Sequence, residues 1–305
     1  MPALSRVVAS LLLCLVTATA FGQGTAGKAG VLATVNGKPV REKDLETLYL
    51  INHVPAEGRD KLRDTLVDQL VDNAVIEAFL KQKSIVAPSV DLDARVAFVI
   101  RSIEQQGDKP QEVLAKLGLT EETLRQQLAL PIAWTIYARK TLPDERIRGY
   151  FESHRQELDG TRVRVRQIVR LVERGADEAK WTAAEKVLAD LRQEIASGKT
   201  MFEAAAREHS ESPSKEQGGE VGTFGFDGKM PLTVTEAAFR LKKGELSPPV
   251  RSPFGVHLLE LIEKIPGDLS AEDVRPQVFD RLSKELWTET VAAERKKAKI
   301  VRPAK

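Results

Sequence analysis

The sequence predicts an α+β fold: a helical N-terminal domain completed by a C-terminal helix, with a small α+β domain inserted between them. Three observations carry this. Residues 42–157 repeat apolar side chains at helical spacing almost throughout. At Thr161–Leu171 the period drops to two, as a strand with one buried face requires. Beyond Pro266-Gly267-Asp268 a long amphipathic helix returns, and a lone helix of that kind needs a partner to cover its apolar stripe.

Composition bounds the function. The chain has 305 residues, 46 Lys+Arg against 44 Asp+Glu, and a formal net charge of +2. A dedicated nucleic-acid binder shows a strong basic excess, so that class is excluded. Hydrophobic residues make up 42%, enough for packed cores, and aromatics only 5%, so the cores are aliphatic. The length suggests about two domains. A single cysteine cannot form an internal disulfide or a structural cysteine-based zinc site.

The N-terminal segment reads as a secretory signal peptide over 1–22. Arg6 precedes the apolar run around Val7–Val16, and Ala18-Thr19-Ala20-Phe21-Gly22 supplies small residues for cleavage after Ala20 or Gly22. The run is about fourteen residues, short of the roughly 20 that span a membrane. Leu13 before Cys14 does not suit a lipid-anchored signal. Removal of 1–22 takes Cys14 with it and leaves a chain with no cysteine and no stable membrane anchor. Residues 23–30 read as a flexible leader.

The elements follow in order. Val31–Val35 is β-prone and Asn36-Gly37 is a turn signal. A helix opens near Glu42–Asp44. The next, about Asp60–Lys83, carries two rows at spacing four: Leu66, Leu70, Ala74, Ala78 and Val67, Val71, Val75, Phe79. Helices over about Val90–Gln106 and Pro110–Leu117 follow, and Thr120-Glu121-Glu122 starts another. Pro131, lacking an amide donor, is expected to kink or restart that helix. A last helix runs from Pro143-Asp144-Glu145 to about Glu157. In the inserted part, the Thr161–Leu171 strand leads to helices over about Glu178–Ser197 and Met201–His209. Then come a polar loop at Ser210–Gly222, a helix at about Thr233–Leu241, and strands around Val250 and Gly255–Leu261. Ser270 is the expected N-cap of the C-terminal helix, whose Val274, Val278, Leu282 and Leu286 repeat at four. A terminal strand at Ala298–Val301 is expected to pair with Val31–Val35. The implied domains are 31–160, 161–265 and 266–305.

Five stretches keep a recognisable order and spacing. They are His209–Ser214, Gly218–Phe224, Gly228-Lys229-Met230, Glu236–Phe239 and Lys243–His257. Together they resemble a parvulin-type peptidyl-prolyl isomerase domain, a small antiparallel sheet flanked by helices. With Val35-Asn36-Gly37, the helical flank and the C-terminal helix, residues 31–302 resemble exported folding factors of the SurA/PrsA type. The resemblance implies a site of two central His, a nearby Cys or Asp, a Ser/Thr and an apolar pocket. His257 takes the second His position and Ser252 the Ser/Thr position. Gln167 stands at the first His position and Ser212 at the Cys/Asp position. The implied substrate-binding residues are Val221, Met230, Val234, Phe239 and Phe254, with Val234 where Phe is common.

The chemistry needs no cofactor. The prolyl amide barrier is about 20 kcal/mol because nitrogen shares its lone pair with the carbonyl. A site that favours the twisted amide by about 4 kcal/mol accelerates rotation roughly a thousandfold. Gln167 and Ser212 can hydrogen-bond but supply no charge. Two readings follow: an exported isomerase and chaperone for secreted or outer-membrane proteins, or a non-catalytic periplasmic chaperone with a degenerate parvulin domain. The partners expected are unfolded or proline-containing polypeptides. The four His have no acidic partners at ligand spacing, so no metal site is expected.

Overall fold

The structure, a computed structural model, describes residues 30–228 and 230–303. The expected signal peptide and nearly all of the expected leader lie outside these residues. The chain divides into two compact units, one ending at Pro143 and resuming at Asp280, the other spanning Asp144–Phe279.

In the first unit β1 (Val31–Val35) and β2 (Lys38–Arg41) form an antiparallel hairpin. Asn36 and Gly37, at φ 51° and 83°, make its turn, the positive-φ pair that a two-residue hairpin needs. The C-terminal β7 (Ile300–Val301) pairs antiparallel with β1, giving the order β2-β1-β7. Against this sheet pack α1 (Glu42–Ile51) and α2 (Arg59–Gln82), which bury Leu45, Leu48, Tyr49, Leu66, Val67, Leu70 and Val71. Ala78 is exposed, contrary to the expected row. Ile76 and Leu80 are buried instead, because the stripe turns around the helix.

A second cluster joins α3 (Ser89–Glu104), α4 (Pro110–Lys116) and α5 (Glu121–Thr141) through Val96, Val99, Ile103, Leu114, Leu124 and Leu128. Thr120 caps α5, its hydroxyl accepting from Thr123 N. The helix does not restart at Pro131. One amide donor is lost there, and buried Leu128, Leu130, Ala133 and Trp134 hold the flanking turns.

The second unit opens with α6 (Asp144–Ser153) and α7 (Arg155–Leu158). Its sheet has the antiparallel order β4-β3-β6-β5, built from β3 (Arg162–Leu171), β4 (Glu220–Gly225), β5 (Val250–Ser252) and β6 (Gly255–Ile265). One face, with Ile168, Val256 and Leu258, is covered by α8 (Glu178–Ala196) and α9 (Phe202–His209). The other, with Val163, Val165, Leu259 and Leu261, packs on α10 (Leu232–Arg240) through Val234, Ala238 and Phe239. The expected loop at Ser210–Gly222 holds a 3-10 turn, Pro213–Gln217, and the start of β4.

The unit boundaries differ from the expected 160 and 265. Residues before and after the sheet are tied to each other: Leu269 N donates to Asp159 O at 3.0 Å, and Gly267 N to Thr161 Oγ1 at 3.1 Å. Asp144 and Arg275 also form an ion pair at 2.5 Å.

The last helix, α11 (Arg275–Arg295), begins five residues after the expected cap. Ser270 and Asp273 do exchange capping bonds, at 2.8 and 3.3 Å. Pro276, however, has no N–H to offer the Glu272 carbonyl, so the capped turn is interrupted there and regular helix runs only from Arg275. Val278, Leu282 and Leu286 are buried as their spacing requires. Within the first unit, Trp134 Nε1 donates to Ser283 Oγ at 2.9 Å, and the Trp134 and Trp287 rings meet edge-on at 4.9 Å. Arg295 binds Asp68 at 2.8 Å and also pairs with Asp72.

Candidate functional site

Sheet register builds the site. His257 on β6 lies opposite Val169 on β3 and opposite Val250 on β5. Gln167 and Ser252 are each two residues from those partners, so both fall diagonally beside His257 on the same face. His257 Nε2 lies 2.7 Å from Ser252 Oγ, and Nδ1 lies 3.1 Å from Gln167 Oε1. This is the face that carries Val165, Leu259 and Leu261, so a polar line runs beside an apolar cluster.

Ser212 reaches the line from the loop after α9. Beyond Arg166, β3 has left its β4 partner and its outward backbone groups need others. The loop supplies them. Val169 N donates to Ser210 Oγ at 3.1 Å, Leu171 N to Glu211 Oε2 at 2.6 Å and Gln167 N to Gly219 O at 2.8 Å. Ser212 is thereby placed so that Gln167 Nε2 donates to its Oγ at 3.3 Å. Ser212 and Ser214 Oγ are 3.1 Å apart. The four polar residues expected from the sequence thus stand together. Ser210 and Ser214, which lie in the His209–Ser214 stretch but were given no site role from the sequence, join them.

The electrostatics are neutral. His257 is 4% exposed, and burial lowers its pKa from 6.5 to about 4, so the ring is uncharged at neutral pH. The Arg row of β3 turns to the other face, where Arg166 meets Glu203 at 2.6 Å and Glu260 at 3.3 Å.

The apolar residues divide. Val221 and Met230 are half-buried against the cluster, together with Phe224 and Phe226. Val234, at 0% exposure, and Phe239, at 6%, are core floor rather than open surface. Phe226 meets Phe239 edge-on at 5.1 Å. Phe254 is 62% exposed at the β5–β6 turn and stands apart from the other four, its backbone N–H donating to Ser252 Oγ at 3.1 Å. Phe224 and Phe226 were not singled out from the sequence, although an aromatic pair beside Gly222 and Gly225 was visible there.

Known families and proteins match this chain as follows. The family described as "Rotamase: PPIC-type PPIASE domain" matches residues 168–263, a span that holds Ser212, Ser252 and His257 and begins one residue after Gln167. Foldase protein PrsA 1 of Bacillus cereus is 30% identical over 172 residues, covering 53% of this chain and 52% of that protein. The chain therefore spans about half the length of that relative. A probable parvulin-type peptidyl-prolyl cis-trans isomerase of Bordetella bronchiseptica is 27% identical over 303 residues, covering 97% of this chain and 100% of the other. A crystal structure of a peptidylprolyl isomerase (PrsA) from Bacillus anthracis aligns with TM-score 0.47 and 22% identity over 76% of this chain and 96% of that one. Residues 168–263 of this chain are a PPIC-type PPIase domain.

Proposed function

We propose that the protein is an exported peptidyl-prolyl cis–trans isomerase and chaperone that assists the folding of secreted or outer-membrane proteins. The observation that carries the reading is the polar line Ser252–His257–Gln167–Ser212 beside an apolar cluster, inside a PPIC-type domain. The relatives' own names, foldase and isomerase, favour it over a purely binding role.

A neutral site suits the reaction. The planar amide is the more polar state, because resonance moves charge from nitrogen to oxygen, and twisting undoes that transfer. An uncharged, water-poor cradle therefore favours the twisted amide over the planar one. In this reading Val221, Met230, Phe224 and Phe226 take the proline ring, over a floor of Val234 and Phe239. His257, Gln167, Ser212 and Ser252 fix the polar wall. Phe254 serves as an exposed contact for the flanking peptide.

Isomerisation of a short proline peptide is the test. Wild type should exceed the uncatalysed rate, and His257→Ala should lower kcat/KM about ten- to a hundredfold, the loss of one polar interaction that this reading places in the transition state. Wild type at the background rate would sink the enzyme reading.

Export to a periplasm-like compartment rests on the Arg6, Val7–Val16 and Ala18–Ala20 pattern. Among the described residues no helix is long and apolar enough to cross a membrane. Intact-mass measurement on protein from the exported fraction should give a chain starting at Phe21 or Gln23. A full-length mass there overturns the cleavage.

A further inference from the structure

We propose that Gln167 is a positioning residue that fixes His257 as the Nδ1–H tautomer and gives the line of side-chain hydrogen bonds Ser252–His257–Gln167–Ser212–Ser214 one direction, towards Ser214. The placement deepens the isomerase reading and rests on it for its consequence alone.

Gln167 has two ends and two partners. Its Nε2 donates to Ser212 Oγ, which leaves Oε1, an acceptor, against His257 Nδ1 at 3.1 Å. Nδ1 must then carry the proton. Nε2 of a neutral ring is an acceptor, so Ser252 donates its hydroxyl proton to it across 2.7 Å. Ser252 Oγ meanwhile accepts from Phe254 N at 3.1 Å. At the other end Ser212 accepts from Gln167 and passes its own proton to Ser214 at 3.1 Å.

Turning the carboxamide end for end reverses the line. His257 Nε2–H and Phe254 N–H would then both point at Ser252 Oγ, and the Ser252 proton would have no partner in a residue only 6% exposed. In the orientation present, the free hydroxyl proton belongs to Ser214, which is half-buried and reaches water. The cost of an unmade hydrogen bond therefore selects one direction.

Charges on the packed elements are turned elsewhere. On β3, Arg166 binds Glu203 and Glu260, and Arg170 binds Glu211. On β4, Glu220 binds Arg164. On β5, Arg251 binds Glu178 and Glu185 on α8. On α10, Glu236 faces Arg240 at 3.7 Å. Among the described residues the carboxamide, oriented by the buried Ser252 hydroxyl and Phe254 N–H, thus sets which nitrogen is protonated. The consequence is chemical: the Ser252 hydroxyl hydrogen is engaged by His257 Nε2, so Ser252 meets a bound prolyl segment as an acceptor, suited to a substrate backbone N–H.

Multiple-bond ¹H–¹⁵N NMR of the imidazoles in the full chain reads the tautomer directly. His257 should show protonated Nδ1 and bare Nε2 at pH 7. In Gln167→Glu a carboxylate replaces the amide oxygen, and the His257 titration midpoint should rise by about two units. Isomerase activity in that variant should become pH-dependent near neutrality. A protonated Nε2 in wild type overturns the proposal, and this measurement needs no variant to fold. So does a folded Gln167→Glu with an unmoved midpoint. Because the tautomer is read without substrate, an inactive wild type would refute the isomerase reading while leaving the Gln167 result standing or falling by itself.

Discussion

Gly219→Ala is expected to destabilise the α+β unit by about 3 kcal/mol, the sum of a left-handed backbone penalty and a steric one. Gly219 has φ +86°, where an L side chain is strained. A Cβ there would lie 2.5 Å from the Gln167 carbonyl oxygen, 3.1 Å from Ala206 Cβ and 3.3 Å from Gln167 N. The close approach is needed because Gly219 O is the acceptor for Gln167 N at 2.8 Å. Nothing there is a flexible side-chain end that could swing away; two of the three contacts are β3 backbone. Gly222→Ala is the control. Gly222 has φ +91° but nothing within 4 Å of its virtual Cβ, so it carries the backbone penalty alone. Amide hydrogen exchange of β3 and β6 should lose about a hundredfold protection in Gly219→Ala and distinctly less in Gly222→Ala. Equal losses in the two variants would refute the steric part. Displacement of the Gln167 backbone should also reduce isomerase activity more in the first variant than in the second.

Those glycines stood inside a stretch that could be recognised from sequence, yet their work could not be read there. What sequence shows well is periodicity. Val163 and Val165 alternate with arginines and are buried as alternation demands, and Leu282 and Leu286 are buried as their spacing of four demands. The Asn36-Gly37 turn was legible because few other pairs tolerate positive φ. His257, Ser252, Gln167 and Ser212 could be assembled only through resemblance, since they come from β6, β5, β3 and a loop with no common spacing. Ser210 and Ser214 were missed for a physical reason. Ser210 serves a backbone N–H of the strand edge and Ser214 a hydroxyl of the same loop, and a loop that caps an edge needs correct shape rather than a repeating pattern. The late start of α11 has a similar origin. The cap chemistry of Ser270 and Asp273 is present, but the missing donor of Pro276 acts one turn later and outweighs it. Val234 and Phe239 were expected among the substrate-binding residues and are buried in the core, a matter of depth that a one-dimensional reading does not contain.

His257 should also make the stability of the α+β unit depend on pH, with a loss of about 3 kcal/mol between pH 6.5 and 4. The sign follows from burial. The folded ring stays neutral down to about pH 4, whereas the unfolded ring takes a proton near 6.5. Below 6.5 the unfolded state therefore binds a proton that the folded state refuses, and stability falls by about 1.4 kcal/mol per unit until the folded ring titrates too. Above 6.5 neither state is protonated and the contribution is constant. Carboxylates of the same unit also contribute on acidification. Glu260 is raised by burial and gains the folded state some stability on acidification, while Asp144 and Asp273 are lowered by hydrogen bonding, from Arg275 and Ser270 respectively, and lose it. A difference between two proteins cancels those terms. His257→Gln keeps a polar group at the position and removes the titration. Denaturant unfolding of wild type and variant at pH 7 and pH 4.5 should show the gap between them narrowing by about 2.7 kcal/mol. Parallel behaviour at the two pH values would mean that the folded ring is protonated like the unfolded one. The same neutrality predicts that isomerase activity is flat from about pH 5.5 to 9. The site has no charge to gain or lose in that range, and Gln167 in place of a second histidine removes the one group that would otherwise titrate beside His257.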